Sequence, residues 1–247
     1  QAVRKKMPEG YAYILDELLN VTDDINREFY YDEIISSILE TGVADSFITA
    51  MCTLIRRLTV DWLHIIGDIY DRGPRADRIM DELVAHARVD IQWGNHDISW
   101  MGAAAGCPAL VANVIRIALS YNSYDVLEDG YGLNLRPLSV FATEVYGDDP
   151  CTHFLPHTLD DVVFDHVDAL LTARMHKAIA VIQCKLEGGL LRAHPEYGMD
   201  ERRLFERCDF RRGVVRLGGR EYALSDTHFP TVDPDEPLAL TDGETEL

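Results

Sequence analysis

An α/β chain, with one β-α-β unit set among helices, is expected from three features of the sequence. Apolar residues recur at helical spacing through residues 1–58. Two short runs rich in β-branched residues, VDWLHIIG and VDIQWG, flank one amphipathic helix. Another long apolar stripe at helical spacing follows Thr158. A repeat near 3.6 residues marks a helix with one buried face, and a short apolar run closed by glycine marks a buried strand.

Residues 1–58 form the first expected segment, a helical insertion. Its stripes are Tyr11, Ile14, Leu15, Leu18 and Leu19, then Ile34, Ile35, Ile38 and Leu39, then Phe47, Ile48, Met51, Leu54, Ile55 and Leu58. Each stripe needs a partner surface, so these helices are expected to pack on each other or on the core.

Residues 59–120 form the second segment, the core. The strand VDWLHIIG leads into the loop DIYDRGP, and a helix from Arg75 to Ala87 carries Ile79, Met80, Leu83 and Val84 on one apolar face. The strand VDIQWG follows, closed by a loop NHD, and a further helix is expected over Leu110 to Leu119. The connection has the length of a right-handed crossover between parallel strands.

Residues 121–205 are mixed. Tyr121 to Pro150 shows no clear period, whereas Thr158 to Leu186 reads as one long helix, with Thr158 as cap and Asp161 three residues on. Residues 206–247 carry a hairpin, VVRL and REYAL around Gly218-Gly219, and an acidic, proline-rich tail. Two glycines supply the positive φ angles of a two-residue turn.

The chain has 247 residues, 47% of them hydrophobic, enough for one large domain or two modest ones. Its net charge of −19 opposes nucleic acid and anionic membrane as partners. A small phosphorylated substrate is not opposed, because local arginines or bound cations can reverse the field inside one cleft. Five cysteines without a CxxC pair argue against a disulfide framework or zinc ribbon and fit the reducing cytoplasm. No apolar run approaches the ~20 residues of a membrane helix. The chain opens on Gln1 and its tail closes nothing, so both ends are read as cuts and the domain is expected to be incomplete. A homo-oligomer is compatible with all of this.

Two motifs carry the chemistry. Gly67-Asp68-Ile69-Tyr70-Asp71-Arg72-Gly73 follows the first strand, and Gly94-Asn95-His96-Asp97 lies 27 residues later, after the second. Neighbouring strands would bring both loops to one crevice, where open α/β sheets bind ligands. Asp68 offers a carboxylate able to bridge two cations, and Asn95 a neutral carbonyl oxygen to one of them. Two metals about 3.5–4 Å apart can acidify a shared water and clamp a phosphate for in-line attack. Arg72 carries a planar fork that matches phosphate oxygens. His96 suits a general acid for the leaving alkoxide, and Asp71 can orient the imidazole. Eight fixed positions at fixed spacing arise by chance about once in 10¹⁰ trials at average composition. Two ordinary βα turns are therefore a poor account of the pair.

Other residues read more blandly. Asp226-Thr227-His228 is the only Asp-x-His, but Phe229-Pro230 follows where a metal motif needs glycine and a helix start. A turn after the hairpin is the better reading. His96-Asp97 in an HD-type hydrolase would sit on a helix, and the Gly-Asn context favours a loop. His153 and His157 are spaced for a helical metal pair, but Pro156 opposes a helix, so they read as surface residues. His176, Lys177, Lys185 and Glu187 lie on or near the long helix, where the charged ones read as its solvated face. Arg75 and Arg78 read as solvent-facing helix arginines that could assist phosphate binding.

The motif pair resembles the calcineurin-like metallophosphoesterases, which include the serine/threonine protein phosphatases. The words LHIIGDIYDRGPRADRIMDEL, DIQWGNHDISWMGAAAG, RMHKAIAVIQCKLEG and DTHFPTVDP are similar to one branch, the class III fructose-1,6-bisphosphatases, from about Tyr11 to the end. Asp97 fits that branch, since protein phosphatases usually carry Glu there. The resemblance implies a metallophosphoesterase-like sheet with helical insertions. It also implies Asp68 as a bridging metal ligand, Asn95 as a ligand to one metal and His96 with Asp71 as the acid dyad. Further implications are two Mn²⁺ ions per complete site, a sugar-bisphosphate substrate and a role in gluconeogenesis. For His176, Lys177, Lys185 and Glu187 the resemblance of their segment makes a substrate-pocket role an equal reading. Two readings stand beside it, a phosphoprotein phosphatase of the same superfamily and a non-catalytic scaffold or regulatory module. The second is prompted by a departure: an Asp-x-His upstream of Gly67 and a later Gly-His pair, both part of the superfamily's ligand set, do not occur here. The missing ligands are expected outside this chain, leaving the isolated piece weak or inactive.

Overall fold

A computed structural model describes residues 6–20, 27–86, 88–157 and 168–247. The architecture is mixed α/β, with small sheets and many helices. The chain divides into two compact units, Gln1–Ile65 with Ala87–Asp90, and Ile66–His86 with Ile91–Leu247.

In the first unit, α1 (Ala12–Asn20), α2 (Arg27–Glu40) and α3 (Ala44–Thr59) bury Leu15, Ile38, Ala50 and Leu54. Tyr11 ties α1 to α3, its ring edge-on to Phe47 and its hydroxyl 2.6 Å from Ser46 Oγ. The expectation that every stripe finds a partner holds only in part. Ile35, Leu39, Ile48 and Ile55 stay exposed, because each helix carries more apolar positions than one contact face covers. Strand β1 (Leu63–Ile65) pairs with β2 (Val89–Ile91) in a two-stranded sheet. Asp90 fixes the pair, accepting from Trp62 Nε1 at 2.8 Å and lying 3.0 Å from His64 Nδ1.

In the second unit, helices α4 (Ala76–Ala85), α5 (Asn95–Ala104), α6 (Pro108–Ser120), α7 (Arg136–Tyr146) and α8 (Ala169–Ala193) surround a core that includes Leu119, Leu127, Ala142, Tyr146 and Ala173. Helix α6 begins on Pro108, whose missing N–H costs nothing in a first turn. Helix α8 is capped by Asp168, whose carboxylate accepts the N–H groups of Leu170 and Leu171. The expected start at Thr158 lies outside the described residues, and the helix runs past Leu186 to Ala193. A smaller core of Val181, Phe205, Val232 and Leu238 holds the antiparallel sheet β3 (Cys208–Asp209), β4 (Val214–Leu217) and β5 (Arg220–Ala223). The expected hairpin is present with its turn at Gly218-Gly219, and both turn glycines have positive φ. The chain closes on α9 (Asp242–Glu246), capped by Thr241.

Lys177 and Lys185 are not part of a solvated face. Both are buried on α8, Lys177 against Asp149 and Asp226 at 2.6 and 2.7 Å, Lys185 against Glu244 at 2.6 Å. A buried ammonium needs such partners, and here they come from distant segments of chain. Among the described residues no helix is long and apolar enough to cross a membrane.

Candidate active site

Both motifs lie in the second unit. The first leaves β1 through Gly67 (φ +96°) and Asp68 (φ +54°), two successive residues in the left-handed region. Glycine adopts that region freely, whereas Asp68 does so at a cost of the kind found at functional sites. The second motif is not the loop expected. Gly94, with extended φ and ψ, is the cap of α5, and Asn95 to Asp97 form its first turn.

The loops interlock through backbone. A Cβ at Gly67 would stand 2.5 Å from Gly94 N, and a Cβ at Gly94 would stand 1.9 Å from Asp68 Oδ1. Only glycine at both positions allows this approach. The carboxylate of Asp97 completes the lock. Its Oδ2 accepts from Asp68 N at 2.6 Å and Gly94 N at 2.8 Å, and its Oδ1 from Tyr70 N at 3.2 Å. Asp97 is buried, so these charge-assisted bonds act in low dielectric.

The five expected site residues stand around this lock. Asp68 is exposed, and its Oδ1 accepts from the backbone N–H of His96 at 3.2 Å. Asn95, also exposed, is the first residue of α5. His96 Nε2 lies 3.0 Å from Asp71 Oδ1, and Arg72 Nε donates to that same oxygen at 2.9 Å. One carboxylate oxygen thus joins the imidazole to the guanidinium. The hydrogen bond and charge of Asp71 push the Arg72 pKa further up. The Arg72 guanidinium sits 4.9 Å above the Tyr121 ring, which helps to aim the fork.

The donor chemistry fits part of a hard cation's shell. Asp68 brings an exposed carboxylate into a cradle that any side chain at Gly94 would fill, and Asn95, the first residue of the adjoining helix, could add an amide oxygen. Among the described residues no group of three or more His, Cys, Asp or Glu side chains could hold a metal ion.

The structure separates the other residues weighed in the sequence. Arg75 pairs with the buried Asp77 at 2.7 Å, and Arg78 lies 3.8 Å from it. His153 is exposed. So is His157, whose ring lies 5.9 Å from Tyr121. His176 is buried, its Nδ1 2.9 Å from the Phe154 carbonyl, and burial holds its pKa down. Asp226 and His228 are tied into the Lys177 network, with His228 Nδ1 2.8 Å from Asp149 Oδ2.

Sequence reasoning missed the locking role of Asp97 and the Tyr121 platform. The first had a signal, an acid three residues after a glycine cap, which is an N-terminal helix pattern. The second had none. Beside the loops an apolar cavity of about 570 Å³ is lined by Tyr70, Trp93, Asp97, Trp100 and Tyr131 among others. Tyr70 stacks on Trp100 with ring centroids 4.4 Å apart, and its hydroxyl lies 2.6 Å from that of Tyr131.

Comparison with known proteins follows the same line. The class 3 fructose-1,6-bisphosphatase of Listeria monocytogenes serotype 4b is 51% identical over 247 residues. That of Bacteroides thetaiotaomicron is 53% identical over 247 residues, and that of Clostridium novyi 51% over 246. Each match covers 99% of this chain, but the chain spans only 37–38% of these relatives' length. No solved structure matches. The family model described as Firmicute fructose-1,6-bisphosphatase matches residues 1–247, and the chain belongs to that family.

Proposed function

We propose that the protein containing this chain hydrolyses fructose 1,6-bisphosphate to fructose 6-phosphate and phosphate, as a metal-dependent phosphoesterase of gluconeogenesis. The observation that carries the chemistry is the shared Asp71 oxygen, which holds a phosphate-binding cation, Arg72, and a proton donor, His96, within 3.0 Å. The sugar substrate rests on the family to which the chain belongs.

Asp68 and Asn95 would hold divalent cations, in our reading two Mn²⁺ in a complete site, with further donors from outside the described residues. When bound, such cations supply Lewis acidity toward the phosphoryl oxygens and acidify water. Arg72 orients the phosphate with the guanidinium nitrogens that Asp71 does not use. His96 presents Nδ1 to the leaving alkoxide, because Nε2 faces Asp71. Asp71 fixes that tautomer and stabilises the charged ring until the proton leaves Nδ1. Gly67, Gly94 and Asp97 hold the two loops in register, a positioning role.

On this reading residues 59–120 carry part of a metallophosphoesterase core, with helical insertions at 1–58 and 121–205 and a hairpin with acidic tail at 206–247. A cytoplasmic location fits the five unpaired cysteines. The test compares turnover of fructose 1,6-bisphosphate and of a phosphopeptide by the full-length protein with Mn²⁺. Preference for the sugar is expected. Preference for the phosphopeptide would transfer the same chemistry to phosphoproteins, and no turnover of either would favour a scaffold.

A further inference from the structure

The chain is acidic overall, but one stretch reverses its sign. Residues 202–220 hold seven arginines against two acids, while the rest of the chain holds 16 bases against 40 acids. In the structure this stretch builds the small antiparallel sheet and a cavity of about 290 Å³ beside it. Arg207, Arg211 and Arg216 line the cavity together with Glu206 and Asp209, and none of its lining residues belongs to the motif loops.

The strand register explains the convergence. Cys208 pairs with Val215 and Asp209 with Val214. Arg207 ends the short turn Phe205–Arg207 directly before β3, and Arg216 follows Val215 on β4, so the two arginines come to the same end of this ladder. Like charges brought to one place repel unless a counter-charge lies between them.

The carboxylates nearby are taken up by other arginines or shared with Arg216, and none of them reaches Arg207. Glu221 is shared by Arg212 at 2.9 Å and Arg216 at 3.1 Å, and these two cations push its pKa down to about 2. Glu206 is shared by Arg203 and Arg192, at 3.1 and 3.9 Å. Asp209 turns to the backbone N–H and guanidinium of Arg212, and Asp235 takes Arg211. Among the described residues Arg207, half-buried, has no carboxylate partner. The backbone around it is held firmly, since Phe205 and Phe210 pack edge-to-face with each other and with Phe229.

We propose that this cavity is a binding site for a small phosphate-bearing anion, held chiefly by Arg207 and Arg216 and separate from the motif loops. Arginine forks match phosphate oxygens in pairs, and a volume at the lower end of the usual ~300–1,000 Å³ for ligand cavities suits a phosphate or diphosphate group. Nucleic acid is opposed by the charge of the remaining surface.

The test is a calorimetric titration of the full-length protein with inorganic diphosphate. Chelator and an Arg72→Gln background silence the motif loops, so the outcome is independent of the proposed hydrolase. Saturable binding is expected that weakens at least about tenfold in Arg207→Gln, the loss of one charged hydrogen-bonding partner. Arg216→Gln should act alike, and added salt should weaken binding. Arg202→Gln removes the same charge outside the cavity and should keep the affinity. Unchanged affinity in Arg207→Gln, equal loss in Arg202→Gln, or no saturable binding up to about 10 mM diphosphate would each overturn the proposal.

Discussion

The Oδ2 oxygen of Asp97 lies 2.6 Å from the backbone nitrogen of Asp68, across 29 residues of chain. This contact sets the register between the two motif loops. The same carboxylate holds the cap of α5 at Gly94, so the first helical turn and the first motif move as one piece.

Substitution of Asp97 therefore acts on both loops. Asp97→Asn keeps one acceptor oxygen and loses the charge. A loss of about 2–3 kcal/mol in stability is expected, the scale of a charged hydrogen bond removed in a buried place. Chemical denaturation checks it, and a midpoint within error of wild type would contradict the lock.

Gly94→Ala isolates the close approach. The new Cβ would meet Asp68 Oδ1 at 1.9 Å and the Asp68 backbone nitrogen at 2.7 Å, so the carboxylate must turn away and the first motif loop must shift. The Gly94 backbone is in the extended region, which alanine adopts without strain. Phosphate release should fall by about 10²-fold, the scale of a 1 Å misplacement. Circular dichroism and unfolding should show a folded chain.

Asp71→Asn tests the shared oxygen. It leaves His96 without a charged orienting partner and Arg72 without its anion. A fall in kcat of about 10²-fold with a smaller change in KM is expected for impaired general acid catalysis. Steady-state kinetics on the full-length protein decide it. An unchanged kcat would remove the dyad from the reaction.

What the sequence reveals follows from where each signal resides. The first motif and the β4–β5 hairpin are local patterns, a strand ending in a fixed loop and two strands around Gly-Gly, and both are legible. Helix α5 is hidden because Asn-His-Asp reads as loop chemistry, whereas here it is the capped first turn. The burial of Lys177 and Lys185 in ion pairs is not legible because a helical stripe counts apolar positions only. Their partners Asp149 and Glu244 lie 28 and 59 residues away. The placing of Tyr121 under Arg72 is likewise tertiary, with no local trace.

The Lys177 network yields a stability prediction. Burial alone would raise the Asp149 pKa, but the hydrogen bonds from Lys177, the Cys151 N–H and His228 hold it well below the usual carboxylate range. A carboxylate depressed on folding contributes stability that is present above its unfolded pKa of about 3.9 and lost as pH falls toward the folded value. Lys177→Met should cost about 3–5 kcal/mol at neutral pH, since it leaves buried charge uncompensated. It should also flatten the fall in stability below about pH 4, as urea titrations across pH would show.

The decisive measurement is phosphate release from fructose 1,6-bisphosphate by the full-length protein, wild type against Asp68→Asn, with Mn²⁺ supplied. Asn at this position retains the size of the side chain and removes the charge proposed to hold the cations. Activity in the wild type and a loss of at least about 10³-fold in the variant, with unfolding unchanged, are predicted. Equal activity in the two proteins would contradict the site described here.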